Sequence, residues 1–248
     1  MAIRRWRGGA RGPVPACADT RSSTLPKSLT AANDPAPPVT EREAERREQF
    51  MRVAAAVFRQ HGLARATMEQ VAAAAGVTKV VLYRRFPSKD ALILAIFAEA
   101  VRRLKAQDAK PWTGYGGGMR RALAAARSFE DGFILLVRHG DQNPAYQASH
   151  AALRLRTGLR LRSLLWYPDP PPPRGRRPAL LELSLEPMIS FCNDALAYWV
   201  EQGDPEKDEL FIRWCGQMIR AWRHNAAELL DLDSPEQEWP FDTEGLLP

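Results

Sequence analysis

The feature that most constrains the fold of this chain is a pair of short helical segments separated by a very short turn. Thr67 and Gln70 form a capping box, S/T-x-x-E/Q, before the apolar run of a first segment that ends at Gly76. Only Val77 separates that glycine from Thr78, the candidate N-cap of a second segment, TKVVLYRRF. A helix, a tight glycine turn and a second short helix make a helix-turn-helix unit. The alanines before the glycine favour it, since small side chains let the two helices approach closely.

Longer helices are predicted on either side of this unit. The segment from residue 41 to the stop signal Gly62 carries one apolar helical stripe. Its members are Phe50, Val53, Ala54, Val57 and Phe58. Pro87 ends the third predicted helix, and Ser88 is the candidate N-cap of a fourth that runs to about residue 107.

The third predicted helix has two different faces. Leu82 and Phe86 are four residues apart, so they share a face that packs against Val71 and the first helix. The opposite face carries hydrogen-bond donors and cations: Thr78, Lys79, Tyr83 and Arg84, with Val80 and Arg85 nearby. Such a face on the second helix of a helix-turn-helix unit suits the DNA major groove.

The segment MEQVAAAAGVTKVVLYRRFPSKDALILAIF resembles the DNA-binding domain of the tetracycline-repressor (TetR) family. The family pattern runs roughly A-x-x-A-G-V-S/T, then x-x-x-L-Y-x-x-F-x-S/N-K-x-x-L. The positions that fall in register are Ala72, Ala75, Gly76, Val77, Thr78, Leu82, Tyr83, Phe86, Ser88, Lys89 and Leu92. The resemblance covers residues 41–105.

This resemblance implies roles for individual side chains. Tyr83 and Lys89 would bind DNA phosphates, and Thr67 and Thr78 would do so through hydroxyl or helix-end amide groups. The side chains nearest the base edges would be Lys79 and Arg84.

One position departs from the family pattern. Many members have Gly-Thr or Ala-Thr after the Lys79 position, whereas this chain has Val80 and Val81. Val81 is compatible with the core. Val80 is expected to face DNA, where its methyl groups would contact a thymine methyl or hold the helix slightly away from the groove. Arg85 is compatible with either solvent or the DNA backbone.

Basic charge is concentrated before residue 106. Residues 1–40 hold 6 Lys and Arg against 2 Asp and Glu, residues 41–105 hold 13 against 7, and the remainder holds 16 against 20. This division favours a nucleic-acid-binding head on a body that contacts something else, with a solvated charge imbalance as the alternative. Residues 1–40 are predicted to be disordered. They are an inert extension, the product of a start codon placed too early, or an arm for the DNA minor groove.

The rest of the chain is predicted to be helical, which makes the fold class all-α. Helices are expected near 119–139, 144–166, 178–202 and 206–231. The glycine-rich stretch 110–118 is expected to be a break and 168–178 an extended, proline-rich connector. The domains would then be a helix-turn-helix domain at 41–87, a connecting helix at 88–107 and a helical effector-binding and dimerisation domain at 108–248.

Aromatic residues are frequent in this second domain and suit a core, an interface or a ligand pocket. The predicted pocket residues are Trp112, Phe133, Trp166 and Phe191. By family resemblance the last two helices would form a four-helix dimer interface, with Cys192, Trp199, Phe211, Trp214 and Trp222 in it. Four arginines, at 154, 156, 160 and 162, are expected to scatter around their helix and to be mostly solvated, with one available to an acidic ligand group.

Other chemistries find little support in the sequence. Cys17, Cys192 and Cys215 are widely spaced, which predicts neither a disulfide framework nor a zinc site and fits a reducing cytoplasm. The longest apolar runs fall short of the ~20 residues of a membrane span. His139 and Asp141 in HGDQN indicate a polar turn or, alternatively, a binding loop. No motif for a catalytic nucleophile, a phosphate loop or a metalloprotease is present, so neither an enzyme nor a cofactor is expected.

These patterns together predict a homodimeric, cytoplasmic transcription regulator that binds a palindromic operator in double-stranded DNA. We expect a repressor that a small apolar or amphipathic effector releases. The alternative is a regulator of the same fold that has no small-molecule effector and is controlled by a protein partner or by its abundance.

Overall fold

The computed structural model describes residues 41–108, 110, 113–165 and 179–229. Every regular element in these ranges is helical, which confirms the all-α prediction. The helices are α1 (Glu41–His61), α2 (Met68–Ala74), α3 (Lys79–Arg85), α4 (Lys89–Ala106), α5 (Gly114–Arg127), α6 (Glu130–His139), α7 (Gln147–Leu165), α8 (Ala179–Gln202) and α9 (Asp208–Leu229), with a 3-10 turn at Pro205–Lys207. The predicted connector 168–178 and the extension 1–40 lie outside the described residues.

The boundaries of the first three helices follow the predicted capping chemistry. The Gln70 amide donates to Thr67 Oγ1 over 3.2 Å, and the Thr67 amide donates to Gln70 Oε1 over 2.8 Å, which completes the capping box. Gly62 and Gly76 adopt φ of 80° and 65°, a region that glycine enters without the steric cost of a Cβ. Gly76 therefore makes the sharp turn between α2 and α3.

The apolar side of α3 completes the core of the small module formed by α1, α2 and α3. Leu82 and Phe86 are buried completely or nearly so, as are Val71 on α2 and Phe58 on α1. Full burial of one such side chain contributes about 1.5–3 kcal/mol. The module is therefore held by α3 residues that are unavailable for binding.

Helix α4 connects this module with the rest of the compact unit. The Ala91 amide donates to Ser88 Oγ over 3.0 Å, as the N-cap prediction requires. Along its length α4 contacts α1, α5, α6 and α7. Near its N-terminus the Tyr146 hydroxyl donates to Asp90 Oδ1 over 2.6 Å. A movement of the helices that follow α4 would therefore be transmitted through this hydrogen bond to the residues just after α3.

The segment predicted as one helix at 119–139 is two helices, and that prediction was wrong. Helix α5 ends at Arg127, and α6 begins at Glu130. Between them the buried ring of Phe129 lies against Gly132, so close that a Cβ at Gly132 would be 2.1 Å from a ring carbon. The aromatic ring packs into the space that a side chain would otherwise occupy.

The glycines at 114–118, predicted to mark a break, form the first turn and more of α5 instead. Their role is close packing of helices. A Cβ at Gly216 of α9 would lie 3.3 Å from the backbone nitrogen of Gly116, and a Cβ at Gly116 would lie 3.3 Å from Ile212. Glycine lowers helix propensity by about 1 kcal/mol relative to alanine, but here it lets α5 and α9 approach each other closely.

Within the described residues no helix combines the length and the apolar character that crossing a membrane requires.

Candidate functional site

The outward side of α3 is polar and cationic, with one apolar residue in its middle. Lys79, Tyr83 and Arg84 are exposed, and Val80 exposes 69% of its surface. Arg85 is half-buried. We call Thr78, Lys79, Val80, Tyr83 and Arg84 the α3 face. Val81, for which the sequence allowed a core position, is 39% exposed.

Lys79 has partners on both sides of the turn. Its ammonium group forms an ion pair with Glu69 of α2 and lies 5.5 Å from the centre of the Tyr83 ring. The hydrogen bond from Lys79 lowers the pKa of the Glu69 carboxyl group. A base or phosphate that binds Lys79 must therefore compete with a carboxylate.

Arg84 and Arg85 differ from Lys79 in this respect. Among the described residues neither guanidinium forms an ion pair with a carboxylate. Their charges are consequently available to an external anion. This agrees with the expectation that Arg84 lies near the base edges and Arg85 at solvent or the DNA backbone.

Helices α2, α3 and α4 each begin with a hydroxyl side chain at the N-cap. Thr67, Thr78 and Ser88 each accept a backbone amide hydrogen with their hydroxyl oxygen, over 3.2, 3.5 and 3.0 Å. The hydroxyl hydrogens of Thr78 and Ser88 can still donate to a phosphate oxygen, whereas that of Thr67 also bonds to the Glu69 carboxylate. The partial positive charge of helix N-termini adds to this anion preference.

Lys89 stands at the start of α4 and is half-buried. Its ammonium group donates to the carbonyl oxygen of Ala64 over 2.9 Å, which ties α4 to the loop between α1 and α2. An ammonium group has three donor hydrogens, so this bond leaves donors for a phosphate.

A second candidate site is a cavity of about 80 Å³ between the body helices. Much of its wall is apolar, from Met119, Ala122, Leu161, Leu164, Cys192, Leu196 and Ile219. Its polar wall residues include Tyr115, Arg156, Thr157, Arg160 and Asn193. Thr157 Oγ1 donates to Asn193 Oδ1 over 2.9 Å, so this buried pair is satisfied. Burial raises the pKa of the Tyr115 hydroxyl above its ordinary value.

None of the aromatic residues predicted for the pocket lines this cavity in the described part of the chain. Phe133 is 1% exposed in the core of α6. Phe191 packs edge-to-face on Trp214, with ring centres 5.4 Å apart. Trp112 and Trp166 lie outside the described residues. The sequence reasoning counted aromatic side chains, whereas the cavity is lined mainly by aliphatic ones.

The residues predicted for a dimer interface separate into inner and outer ones. Cys192 is in the cavity wall, and Phe211 is 5% exposed. Trp199 stacks on Phe211 with ring centres 4.7 Å apart, and Trp222 donates its indole hydrogen to the Ser184 carbonyl oxygen over 3.2 Å. Trp214, 47% exposed, is the one large outer residue of this predicted set.

An apolar face that the sequence reasoning did not delimit lies on α8 and α9. Its exposed members are Leu183, Tyr198, Leu210, Trp214 and Met218. The three on α9 are four residues apart, so they follow one side of that helix. We call this set the α8–α9 face.

The arginines of α7 do not scatter into solvent as expected. Arg154 and Arg162 form ion pairs with Glu186 and Glu182 of α8. Arg156 and Arg160 both reach Asp108, and both line the cavity. Arg156 and Arg160 are four residues apart, a spacing that places two side chains on one face of a helix. The sequence alone contains this signal.

The HGDQN segment forms a turn after α6, where the His139 Nδ1 hydrogen is donated to Gln142 Oε1 over 3.0 Å. This hydrogen bond within the turn matches the polar-turn reading. In the described ranges no group of three His, Cys, Asp or Glu side chains is placed to hold a metal ion. Burial raises the pKa of both Cys192 and Cys215 to about 12, so neither thiol is ionised at neutral pH.

Helix α3, with its exposed cationic face, follows α2 after a turn at residues 75–78, which is the helix-turn-helix arrangement found in many DNA-binding proteins. Residues 50–96 match the family model for bacterial regulatory proteins of the tetR family. This match covers about a fifth of the chain, so the similarity to the tetR family is shown for the helix-turn-helix region.

Curated relatives match this chain over less than a third of their own length. Uncharacterized HTH-type transcriptional regulators of Mycobacterium bovis and Mycobacterium tuberculosis are 39% identical over 59 residues. That stretch is 24% of this chain and 29% of each relative.

Solved structures share the fold over most of the chain. A TetR-family regulator from Streptomyces coelicolor has a TM-score of 0.54 and 21% identity, over 75% of this chain and 83% of that one. A TetR-like regulator from Rhodococcus sp. RHA1 has a TM-score of 0.54 and 20% identity, over 75% and 97%. FadR from Bacillus subtilis, in complex with stearoyl-CoA, has a TM-score of 0.50 and 12% identity, over 69% and 96%.

Proposed function

We propose that this protein is a homodimeric transcriptional repressor that binds a near-palindromic operator and is released by a small effector. The observation that carries the proposal is the α3 face, where exposed donors and cations stand opposite the buried Leu82 and Phe86. Two copies of α3 in a dimer would enter successive major grooves about 34–36 Å apart. Lys79 and Arg84 would read bases, and Tyr83, Lys89 and the capping hydroxyls would bind phosphates.

The α8–α9 face supports the homodimer. Five large apolar side chains, each 44–67% exposed, are a substantial exposed apolar surface for a monomer. Trp214 is backed by the ring of Phe191, which fixes its orientation. Pairing this face with its copy would bury these side chains and place two α3 helices on one DNA duplex.

Release by an effector would use the cavity and α4. The cavity is formed by α5, α7, α8 and α9, and α4 contacts both α5 and α7. A ligand that separates these helices would shift α4 and, through Tyr146 and Asp90, the residues next to α3. Allosteric coupling of this kind is typically worth about 1–3 kcal/mol. The stearoyl-CoA complex of the Bacillus subtilis neighbour supports a search for such a ligand.

Fluorescence anisotropy with the DNA that flanks the gene tests the proposal. The full-length protein is titrated with random competitor DNA present, at several salt concentrations. We expect one discrete site to survive competition at physiological salt, with a slope of about −0.9 per neutralised phosphate in a double-logarithmic plot. Weak and equal binding to all sequences would contradict sequence-specific regulation.

The small size of the cavity favours a second candidate function. Ligand pockets usually measure about 300–1,000 Å³, and this cavity has about 80 Å³. A regulator of the same fold, switched by a protein partner or by its abundance, needs no pocket at all. A thermal-shift screen of small molecules separates the two, because only the effector-controlled protein is stabilised by a compound that also releases DNA.

A further inference from the structure

Two arginines in the cavity wall share a single carboxylate. Arg156 holds Asp108 with two hydrogen bonds, from Nε over 2.9 Å and from Nη2 over 2.7 Å. Arg160 is left with a longer approach to the same carboxylate, 3.7 Å from Nε to Oδ1, and a hydrogen bond of 3.4 Å to the Asp108 carbonyl oxygen. Asp108 therefore satisfies Arg156 and leaves Arg160 weakly paired.

A third arginine increases the positive charge at this position. Arg121 of α5 donates through Nη1 to Thr113 Oγ1 over 2.9 Å. Its Nη2 is buried and has no hydrogen-bond acceptor among the described residues. A buried donor without a partner is costly, so the Arg121 guanidinium is incompletely satisfied by its surroundings.

The charges at this end of the cavity do not balance. Burial lowers the pKa of the Arg160 guanidinium, Asp108 opposes that change, and the nearby Arg156 and Arg121 lower the pKa further. Asp108 is thus shared by two guanidinium groups, and Arg121 adds a third positive charge nearby. An added anion would relieve the repulsion and supply an acceptor to Arg160.

The remaining wall of the cavity has the opposite character. Leu161, Leu196 and Ile219 are buried, and Met119 joins them from α5. An engineered cavity of about 150 Å³ holds benzene, so a volume of about 80 Å³ has room for roughly three or four carbon atoms without movement of the helices. The cavity therefore offers a short apolar compartment beside a cationic one.

We propose that the effector is an acid with a compact apolar body, and that Arg160 binds its anionic group, with added positive charge from the nearby Arg121, while the apolar wall holds the rest. This inference rests on the proposed effector role of the cavity. It adds the chemical class of the ligand and the residues that recognise it. Because the Arg160 side chain is 31% exposed, the anionic end of the ligand would lie toward solvent.

The first test compares acids with matched alcohols on the unmodified, full-length protein. Butyrate, hexanoate, octanoate and benzoate are each paired with the corresponding alcohol, and dissociation constants are measured by isothermal titration calorimetry. We expect at least one acid to bind tenfold or more tightly than its alcohol. Equal affinities throughout the series, or no binding by any acid, would overturn the proposal without any variant being needed.

The second test removes one guanidinium at a time. Arg160→Gln is expected to weaken binding of the preferred acid at least tenfold, Arg121→Gln to weaken it by a smaller factor, and both to leave the alcohol within twofold. Arg154→Gln is the matched control, because Arg154 is on the same helix but pairs with Ser190 and Glu186 outside the cavity. Equal losses for acid and alcohol in Arg160→Gln and Arg121→Gln would indicate general disruption of the cavity and would count against the proposal.

A DNA-release assay separates this inference from the proposed function. If an acid binds with the expected dependence on Arg160 but leaves operator DNA bound, the ligand class stands and effector control by this site fails. If neutral compounds release DNA and acids do not, effector control stands and the ligand class is wrong.

Discussion

Lys79 of α3 is ion-paired with Glu69 of α2 across the turn that joins the two helices. The side chain expected to reach the bases is thus held by a carboxylate in the protein without DNA. Both groups are exposed, so the pair is weak and exchange with a DNA acceptor is feasible. Glu69 has two consequences for DNA binding, because it competes for Lys79 and repels nearby phosphates.

Replacing Glu69 with glutamine is therefore expected to strengthen binding to operator and random DNA alike. Removing one exposed ion pair and one repulsive charge should lower the dissociation constant by roughly two- to fivefold. Anisotropy titrations at low salt measure this change. Glu206→Gln, far along the chain from α2, is the control and should have no effect, while weaker binding by Glu69→Gln would show that the ion pair positions Lys79 productively.

Lys79→Ala and Arg84→Ala are expected to relax base preference. If these side chains contact base edges, each loss removes about 1–3 kcal/mol of discrimination at particular positions and leaves random-sequence affinity much less affected. Competition binding with operators that carry single base changes measures the discrimination. Equal losses on operator and random DNA would assign both residues to phosphate contact instead.

Lys89→Ala and Tyr83→Phe are expected to weaken binding to every sequence by a similar factor. Each would remove a phosphate contact, and loss of the Lys89 charge should also reduce the salt slope by about 0.9. Lys89 also donates to the Ala64 carbonyl oxygen, so thermal unfolding of Lys89→Ala must be measured alongside. An unchanged salt slope would confine Lys89 to that structural bond.

Trp214→Glu is expected to convert the dimer into a monomer. The substitution places a charge in the middle of the α8–α9 face, where a buried unpaired carboxylate is very unfavourable. Sedimentation equilibrium measures the mass, and operator affinity should fall with it. Leu155→Glu is the matched control, because Leu155 is similarly exposed at 49% but is on α7; dissociation by this control alone would relocate the interface.

The stability of the protein is expected to fall in acid because of Glu99. Burial alone would raise the pKa of this carboxyl group, but hydrogen bonds from Arg102 and Arg103 outweigh it, and the folded pKa lies below the ordinary 4.5. The unfolded state then binds the proton more readily, so the contribution of Glu99 is complete above about pH 4.5 and is lost as pH falls through the folded value.

Glu99→Gln should flatten this part of the pH dependence. Urea unfolding between pH 3 and 7 measures it, with an expected loss of roughly 1–3 kcal/mol at pH 7 and a smaller one at pH 3. Glu43→Gln, an exposed carboxyl group on α1, is the control. A constant difference between Glu99→Gln and the unmodified protein across this range would contradict the assigned pKa.

Local signals explain what was predictable in the fold. Two kinds of local feature depend on only a few neighbouring residues, so the sequence locates both well. They are the N-caps Thr67, Thr78 and Ser88 and the positive-φ glycines Gly62 and Gly76. The glycines around Gly116 have two local interpretations, a break or a close approach. Only the short distance between Gly116 and Gly216 in the folded protein shows that close approach is correct, and the sequence does not contain that distance.

Phe191 and Cys192 show the same limit in the candidate sites. The sequence reasoning assigned Phe191 to the pocket and Cys192 to the interface, whereas Phe191 packs against the exposed Trp214 and Cys192 lines the cavity. Adjacent residues of a helix point about 100° apart, so a small error in the orientation of α8 exchanges their surroundings.

By itself the sequence determined the helical class, the helix-turn-helix unit and the polar face of α3, because capping, turn geometry and apolar periodicity act over a few residues. Only the tertiary structure decided which face of each body helix meets a neighbour. It brought Asp108, Arg121 and Arg160 together from three separate segments, and it left Trp214 exposed while burying Phe211. Those outcomes depend on how helices pack against one another across long sequence separations, which no local pattern encodes.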